Sequence, residues 1–274
     1  RASLGLDLPF YAQFFDFLLH MCRGELGTSY RLGLPVGQLF VARLPATLEL
    51  SFCAAVTALL VGIPAGIHMG LHRRGIVTGT LATTSLVGVS LPTFLIGMLL
   101  IYVFSVTLGW LPSFGRGEVV RIGWWTTGFL TRSGLLSLVL PTITLTFFQT
   151  TLITRLVRSE LMEVLQSDYI RFARARGIPE RLINYGLALK NTLVPVVTII
   201  GLQLGSMVAF SIITETVFQW PGMGLLFIQA VNAADVPVLG AYLMIIGFFF
   251  VMVNLVVDLL YFAIDPRLRG TAIS

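Results

Sequence analysis

Five stretches of this sequence carry no Asp, Glu, Lys or Arg, and their length limits the folds that the chain can adopt. Each stretch is at least as long as the roughly 20 residues that cross the hydrocarbon core of a bilayer. The five stretches are Leu50–His72, Gly75–Gly115, Ser133–Thr154, Asn191–Thr214 and Val236–Val257. This pattern predicts an integral membrane protein.

Composition excludes several other classes of protein. Of the 274 residues, 56% are hydrophobic and 11% are charged, whereas a soluble domain has about 25% charged residues. A disordered chain and an ordinary soluble enzyme are therefore excluded. The net charge of +5 would suggest nucleic acid in a soluble protein. Here the basic residues lie in short loops between apolar stretches, so we expect no nucleic-acid partner.

The apolar stretches predict helices, because each is far longer than the about 9–11 residues of a transmembrane strand. We expect an all-α membrane protein, a polytopic bundle with about five spans. The predicted spans are Thr47–Met69, Thr80–Leu108, Leu135–Val157, Thr192–Thr214 and Leu239–Ile264. Small residues and prolines within them are expected at close helix contacts or kinks. These residues are Gly62, Pro64, Gly66, Pro92, Gly97, Gly201 and Gly205.

The distribution of basic residues predicts the orientation of the spans. The loop between the third and fourth spans holds seven Lys or Arg residues, whereas 215–238 holds none. Basic loops stay in the cytoplasm, so we expect the former loop inside. Residues 1–44 then form an extracytoplasmic segment with an interfacial helix, and residues 45–274 form the transmembrane domain. The sequence does not begin with Met, and we expect a sixth, N-terminal span before it.

The cytoplasmic loop, residues 159–190, alternates acidic and basic residues. Small and apolar side chains interrupt the charges at near-helical spacing. These side chains are Ile170, Ala173, Ala175 and Ile178. The loop is either a solvated linker or an amphipathic helix that docks into a groove on a partner, and the residues alone leave both interpretations open.

The stretches ELMEVLQSDYIRFARARGI and LKNTLVPVVT in this loop resemble the "EAA" loop of ABC-importer permeases of the dipeptide, oligopeptide and nickel family. Other stretches similar to that family are LGLDLPFYAQFFDFL, GELGTSY, RLPATLEL, GLQLGSMVAFSIITETVFQWPGMG and NLVVDLLYFAIDPRLR. The resemblance covers essentially the whole chain, in the order of the first of two permease subunits. It implies a type I importer permease fold in the cytoplasmic (inner) membrane of a bacterium or archaeon. It also implies short peptides as cargo, with nickel chelates and other small solutes among the alternatives.

The resemblance also implies partners for this chain. They are a second homologous permease, two ATPase subunits and an extracytoplasmic solute-binding protein, in contact with membrane lipid. The loop is implied to dock on an ATPase through a coupling helix, with Gly177 where the backbone turns. The implied coupling residues are Glu163, Asp168, Tyr169, Ile170, Arg171, Ala173, Arg174, Ala175, Arg176, Gly177 and Ile178.

The sequence shows no catalytic constellation, so we expect a non-catalytic subunit. It has no G-x-x-x-x-G-K-[ST] phosphate loop, and ATP and Mg are expected on the ATPase subunits rather than on this chain. No cofactor and no metal site are predicted, because no motif with metal-ligand spacing is present. Cys22 and Cys53 are expected to be small packing residues.

Amide side chains within the spans are candidates for the polar lining of a translocation path. They are Gln149, Gln203 and Asn254. Hydrogen bonding between helices is an equally good explanation for them. Asp258 lies deep in the last span and is expected to act as a structural clamp.

A turn after the fourth span is expected at the outer mouth of the path, facing the binding protein. Its residues are Glu215, Trp220, Pro221, Gly222 and Gly224. We expect Trp220 at the membrane interface, where its ring has both wet and apolar neighbours. The alternative is a plain outer loop with an aromatic anchor.

A secondary transporter or channel subunit is the alternative function. It would require inverted repeats and ion-coupling charges near mid-membrane. The sequence shows no convincing repeat, and Asp258 is the only acidic residue well inside a span.

Overall fold

The computed structural model describes residues 24–72 and 74–264, and most of them are helical. The predictions for residues 1–23, including the interfacial helix and Cys22, therefore fall outside the described residues. In chain order the elements are α1 (Val36–Leu71), α2 (Ile76–Ser90), α3 (Thr93–Leu100) with a π-helical continuation (Ile101–Thr107), β1 (Val120–Ile122), β2 (Trp125–Thr127), α4 (Arg132–Gln166), α5 (Asp168–Ala175), α6 (Glu180–Leu182), a π-helical stretch (Ile183–Ala188), α7 (Leu189–Val217), α8 (Met223–Asn232) and α9 (Val236–Ile264).

The number of spans agrees with the prediction. Within the described residues, three helices are long and apolar enough to cross a membrane unaided, and two bent pairs raise the number to five. The helices extend beyond the predicted spans. For example, α1 begins at Val36 rather than near Thr47, because the helix continues past Glu49 and Arg43, the charges that precede the charge-free run.

The second predicted span consists of two helices rather than one, and Pro92, one of the residues expected at close contacts or kinks, lies at the break between them. Between α2 and α3 the chain bends by 111°, with the break at Leu91 and Pro92. Proline cannot donate to a preceding turn, and it moves the residue before it out of the α region. Accordingly, Leu91 is extended, with φ −92° and ψ 133°. Thr80–Leu108 is therefore two apolar helices with a sharp bend between them, as in a broken span or a re-entrant loop.

A stripe of glycines joins α1 to α4. Gly62, Gly66 and Gly70 lie four residues apart on α1 and face Ile153, Val157 and Leu161 on α4. A β-carbon on Gly66 would lie 2.6 Å from the β-carbon of Val157, so only glycine allows this approach. Two threonines of α4 also donate to α1 carbonyls, Thr154 to Gly62 and Thr146 to Ala54, each at 3.2 Å. Close packing and these hydrogen bonds hold the pair together in lipid.

Three further glycines, Gly97, Gly201 and Gly205, were also expected at close helix contacts. Gly97 on α3 packs closely against Phe218 and Val217, as expected for a helix contact, and Gly201 is buried. The surroundings of Gly205 fall outside the described side chains. The sequence analysis did not single out Gly88, whose α-carbon faces Thr151 of α4.

Replacing Gly66 with alanine is expected to lower the melting temperature of the purified subunit. The added methyl overlaps Val157, and overpacking of this kind costs about 1–3 kcal/mol. The matched control is Gly79→Ala on α2, where a β-carbon would meet nothing within 4 Å. Equal melting temperatures for the two variants would show that the close approach of α1 and α4 is not required.

Candidate functional site

Helix α5 lies across the end of the bundle where α1 and α4 finish. Its buried residues Ile170 and Ala173 pack with Leu161, Ile183 and Ala188 of the neighbouring elements. Ile170 and Ala173 thus support the helix from below, and Ile178 packs partly against the same cluster. Ala175 is exposed, so it does not pack against the bundle, and its part in docking stays a prediction. On a short helix, only residues about three or four apart share a face.

The end of α5 depends on Gly177, as predicted. Gly177 has φ +75°, a conformation that residues with a β-carbon rarely adopt. Its N–H donates to Arg174 O at 2.9 Å, and the N–H of Ile178 donates to Ala173 O at 3.2 Å. These two bonds form the Schellman motif that ends many helices. The motif fixes the direction in which the chain leaves the helix.

The outward face of α5 combines an aromatic side chain with charges. Phe172 is 64% exposed, and the guanidinium of Arg176 lies 5.6 Å from the centre of its ring. Glu163, Asp168, Tyr169, Arg171, Arg174 and Arg176 are exposed as well. Arg174 pairs with Glu180, and this hydrogen bond lowers the pKa of the Glu180 carboxyl. The sequence analysis missed Phe172, although its position two residues after Ile170 places it on the opposite face.

At the other end of the bundle, the predicted outer mouth is tightly packed. Glu215 is fully buried, and its carboxylate accepts hydrogen bonds from Thr47 Oγ1 at 2.6 Å, Ser211 Oγ at 3.1 Å and Leu225 N at 3.0 Å. The hydroxyl of Thr47 in turn accepts the N–H of Met223 at 2.8 Å. One carboxylate thus connects α1, α7 and the first turn of α8.

Trp220 belongs to the same packed region. It is 1% exposed, and its indole N–H donates to Ala46 O at 2.9 Å. The expectation that Trp220 sits at a wet interface is therefore wrong, because the turn folds its ring inward against α1. Gly222 and Gly224 are also buried and leave space for the Glu215 carboxylate. The position of this turn at the outer mouth stays a prediction.

The glutamines proposed for the path lie at one level of the bundle. Gln149 stands between Leu145 and Ile153 on α4, and Gln203 stands between Ile200 and Met207 on α7. These four neighbours belong to two apolar clusters that α1, α4 and α7 share. Gln149 is buried, and its Nε2 has no hydrogen-bond partner in the described part of the chain.

The sequence analysis also singled out two polar residues of the last span, Asn254 and Asp258. Asn254 on α9 is half-buried, and within the described residues its Oδ1 accepts no hydrogen bond. Asp258 lies in the same helix, but its side chain is outside the described ones, so its role as a clamp stays a prediction. Cys53 is half-buried and packs beside an apolar cluster.

A buried ion pair that the sequence analysis did not identify fixes the loop between α3 and α4. Arg116 in the loop pairs with Glu49 on α1, and the two side chains are 6% and 3% exposed. Arg116 also donates to the carbonyl of Thr126 at 2.6 Å. Strands β1 and β2 form an antiparallel hairpin here, with Val120 opposite Thr127. No hydropathy signal marks this pair, because its two members lie far apart in the sequence.

Asp235, just before α9, connects residues 29–31 to the turn between α8 and α9 through hydrogen bonds. Its carboxylate accepts hydrogen bonds from Ser29 Oγ and from the N–H groups of Tyr30 and Arg31. Burial alone would raise the pKa of this carboxyl, but the hydrogen bonds outweigh burial and lower it. The ionised form is therefore favoured in the folded protein.

This lowered pKa predicts a pH-dependent stability. The contribution of Asp235 is present above the carboxyl's unfolded pKa of about 3.9, and it is lost as pH falls through the lower folded-state pKa. Asp235→Asn is thus expected to melt below the wild type at pH 6, with the gap narrowing as the pH falls below about 3.9. Melting curves of the purified subunit from pH 6 downwards test this, with the exposed Glu118→Gln as control. A gap that does not change with pH would contradict the assignment.

A family model described as "Binding-protein-dependent transport system inner membrane component" matches residues 62–270. Curated relatives match almost the whole chain. The probable D,D-dipeptide transport system permease protein DdpB of Escherichia coli is 40% identical over 98% of this chain and 84% of its own length. The di/tripeptide transport system permease protein DppB of Pseudomonas aeruginosa is 38% identical over 97% and 83%. The glutathione transport system permease protein GsiC of Pectobacterium atrosepticum is 38% identical over 98% and 83%.

Solved structures share the fold. The chain matches an inward-facing structure of the MetNI methionine ABC transporter with a TM-score of 0.65 at 20% identity, covering 83% of this chain and 96% of that one. An amino acid ABC transporter crystallised with histidines matches with a TM-score of 0.61 at 15% identity, covering 81% and 92%. The arrangement of helices is therefore that of an ABC-transporter permease.

Proposed function

Because this chain belongs to the family of binding-protein-dependent transport system inner membrane components, we propose that it is the permease subunit that carries short peptides across the membrane. It would do so with a second, homologous permease subunit, two ATPase subunits and an extracytoplasmic binding protein. ATP and Mg would bind to the ATPase subunits.

The relatives support the choice of short peptides. Their named cargoes are D,D-dipeptides, di- and tripeptides, and glutathione. These cargoes share a peptide-like backbone with few residues and differ in their side chains and linkage. The proposal therefore names short peptides as the class, without choosing one member.

The two-faced helix α5 is the observation that carries the proposed docking on an ATPase. Its inner face is already occupied by Ile170 and Ala173, while Phe172 and the arginines are exposed. A large exposed aromatic ring beside charges is typical of a residue that fills a pocket on a partner. The rigid C-terminal motif at Gly177 would let the helix pass movement of an ATPase on to α4 and α7.

The path would run between this subunit and the second permease. We keep Gln149, Gln203 and Asn254 as its proposed polar lining, since the unpartnered amide atoms of Gln149 and Asn254 remain able to bind cargo or water. The packed turn around Glu215 and Trp220 would then position the outer mouth rather than line it.

Cross-linking tests the docking and the orientation together. A cysteine in place of Arg176 should cross-link to an ATPase subunit in membranes of cells that express the whole transporter. A cysteine in place of the exposed Gln219 should instead react with a membrane-impermeant maleimide added from outside. Reaction of Gln219→Cys only from the cytoplasmic side would overturn the orientation and the docking.

A further inference from the structure

A cavity of about 470 Å³ opens beside α1, and its walls are mostly apolar. This volume and this composition are typical of a site for a small molecule. Leu48, Phe52 and Ala55 form the α1 wall, with Glu49 and Ser51 on its two flanks. The rest of the wall comprises Trp125, Phe129, Met207, Phe249 and Val253.

Polar atoms at this cavity have unused hydrogen-bonding capacity. Ser51 is 8% exposed, and its Oγ is buried without a hydrogen-bond partner among the described residues. Behind the wall, the Nε of Arg116 is also buried and unpartnered within the described chain. Such groups are rare in folded proteins, and each calls for an explanation such as a ligand or a water molecule.

Glu49 leaves an acceptor open as well. Its Oε2 receives Arg116 and, at 3.4 Å, the N–H of Gly128, whereas among the described residues its Oε1 receives only the indole N–H of Trp125, at 3.4 Å. A carboxylate offers about four acceptor positions, so Oε1 can accept a further, stronger donor. The ion pair with Arg116 holds the carboxylate in place and keeps the region close to neutral.

We propose that this cavity binds one residue of a short peptide during transport, with the peptide's N–H or ammonium group on Glu49 and Ser51 and its apolar side chain against Phe52, Ala55 and Met207. The proposal rests on the proposed function, and it adds the place where this subunit contacts its cargo. A peptide carries hydrogen-bond donors and acceptors beside an apolar side chain. These groups match the open acceptor of Glu49, the hydroxyl of Ser51 and the apolar wall of the cavity. A lipid acyl chain or an apolar helix would leave these polar atoms unsatisfied.

The first test uses Ser51→Ala, which removes the hydroxyl and leaves the wall intact. Because Ser51 Oγ makes no hydrogen bond in the described structure, the melting temperature should not change. The complete transporter, reconstituted in proteoliposomes with saturating peptide-loaded binding protein, should take up glycylglycine and leucylleucine about 3–10-fold more slowly. Wild-type uptake of both peptides by Ser51→Ala would overturn the role of this residue.

The second test fills the cavity with Ala55→Trp. Relative to wild type, uptake of leucylleucine should fall about tenfold more than uptake of glycylglycine, because only the larger side chain needs the apolar space. Leu60→Trp, at an exposed position of the same helix, should show no such difference. If Ala55→Trp reduced uptake of both peptides equally and the second permease no longer co-purified, the cavity would be a contact site for that partner. If uptake of both peptides were unchanged, the cavity would be occupied by lipid. Either result overturns the inference. If the wild type carried no peptide at all, the proposed function itself would fail.

Discussion

Replacing Gly222 with alanine is expected to remove most of the folded subunit from the membrane. The backbone at Gly222 has φ −97° and ψ −172°, which alanine adopts without strain. A β-carbon there would, however, lie 2.5 Å from the carboxyl carbon of Glu215. The carboxylate cannot move aside without losing the hydroxyl of Thr47 and the N–H of Leu225, each worth about 1–3 kcal/mol when left unpaired in the interior. Fluorescence-detected gel filtration of solubilised membranes measures the loss.

Glu215→Ala tests whether the clash with the Glu215 carboxylate, rather than a general need for glycine at position 222, explains the loss in Gly222→Ala. The single variant should itself be strongly destabilised, and Glu215→Gln less so, because its amide oxygen can still accept the N–H of Leu225. In the Glu215→Ala background, Gly222→Ala should add at most about 0.5 kcal/mol, since the two changes act on one contact. Gly247→Ala, where a β-carbon meets nothing within 4 Å, is the matched control. Additive losses for Glu215→Ala and Gly222→Ala would contradict the contact.

The second large effect is expected at Phe172. Phe172→Ala should leave folding unchanged, because the ring is mostly exposed, yet it should uncouple the ATPase from transport. Truncating an aromatic residue at the centre of an interface commonly costs at least about 2 kcal/mol of binding, a factor of about 30 in affinity. Peptide uptake and the stimulation of ATP hydrolysis by loaded binding protein should both fall in the reconstituted transporter.

Two further variants control this result. Phe114→Ala removes an equally large ring that is 60% exposed at the opposite end of the bundle, and it should retain coupling. Ile170→Ala removes a fully buried side chain beneath α5 and should lower stability by about 2–5 kcal/mol. Normal uptake with normal ATPase stimulation in Phe172→Ala would exclude α5 as the docking helix.

The features that the sequence predicted well are those with a local signal. Charge-free runs identified the spans. The alternation of charged and small residues allowed a helix after Asp168, and the family resemblance favoured that helix over a solvated linker. The turn at Gly177 also followed from local chemistry. Pro92 was likewise expected at a close contact or kink, although the size of the bend was not predicted; a proline disfavours the helical conformation of the residue before it.

The features that the sequence did not predict depend on distant partners. Glu215 and Thr47 are 168 residues apart, and Glu49 and Arg116 are 67 residues apart. Neither pair has a periodic pattern, so a buried carboxylate cannot be distinguished from one at the surface by sequence alone. Trp220 was misplaced for the same reason, since its partner is a backbone carbonyl on another helix.

Uptake of a radiolabelled dipeptide into proteoliposomes tests the central claim most directly. The vesicles would contain this subunit, its companion permease and the ATPases, with binding protein and peptide on the face that receives the cargo. The account predicts accumulation that requires ATP and the binding protein, and that falls sharply when this subunit carries Phe172→Ala. Accumulation driven by an ion gradient in vesicles without ATP would contradict it and would indicate a secondary transporter instead.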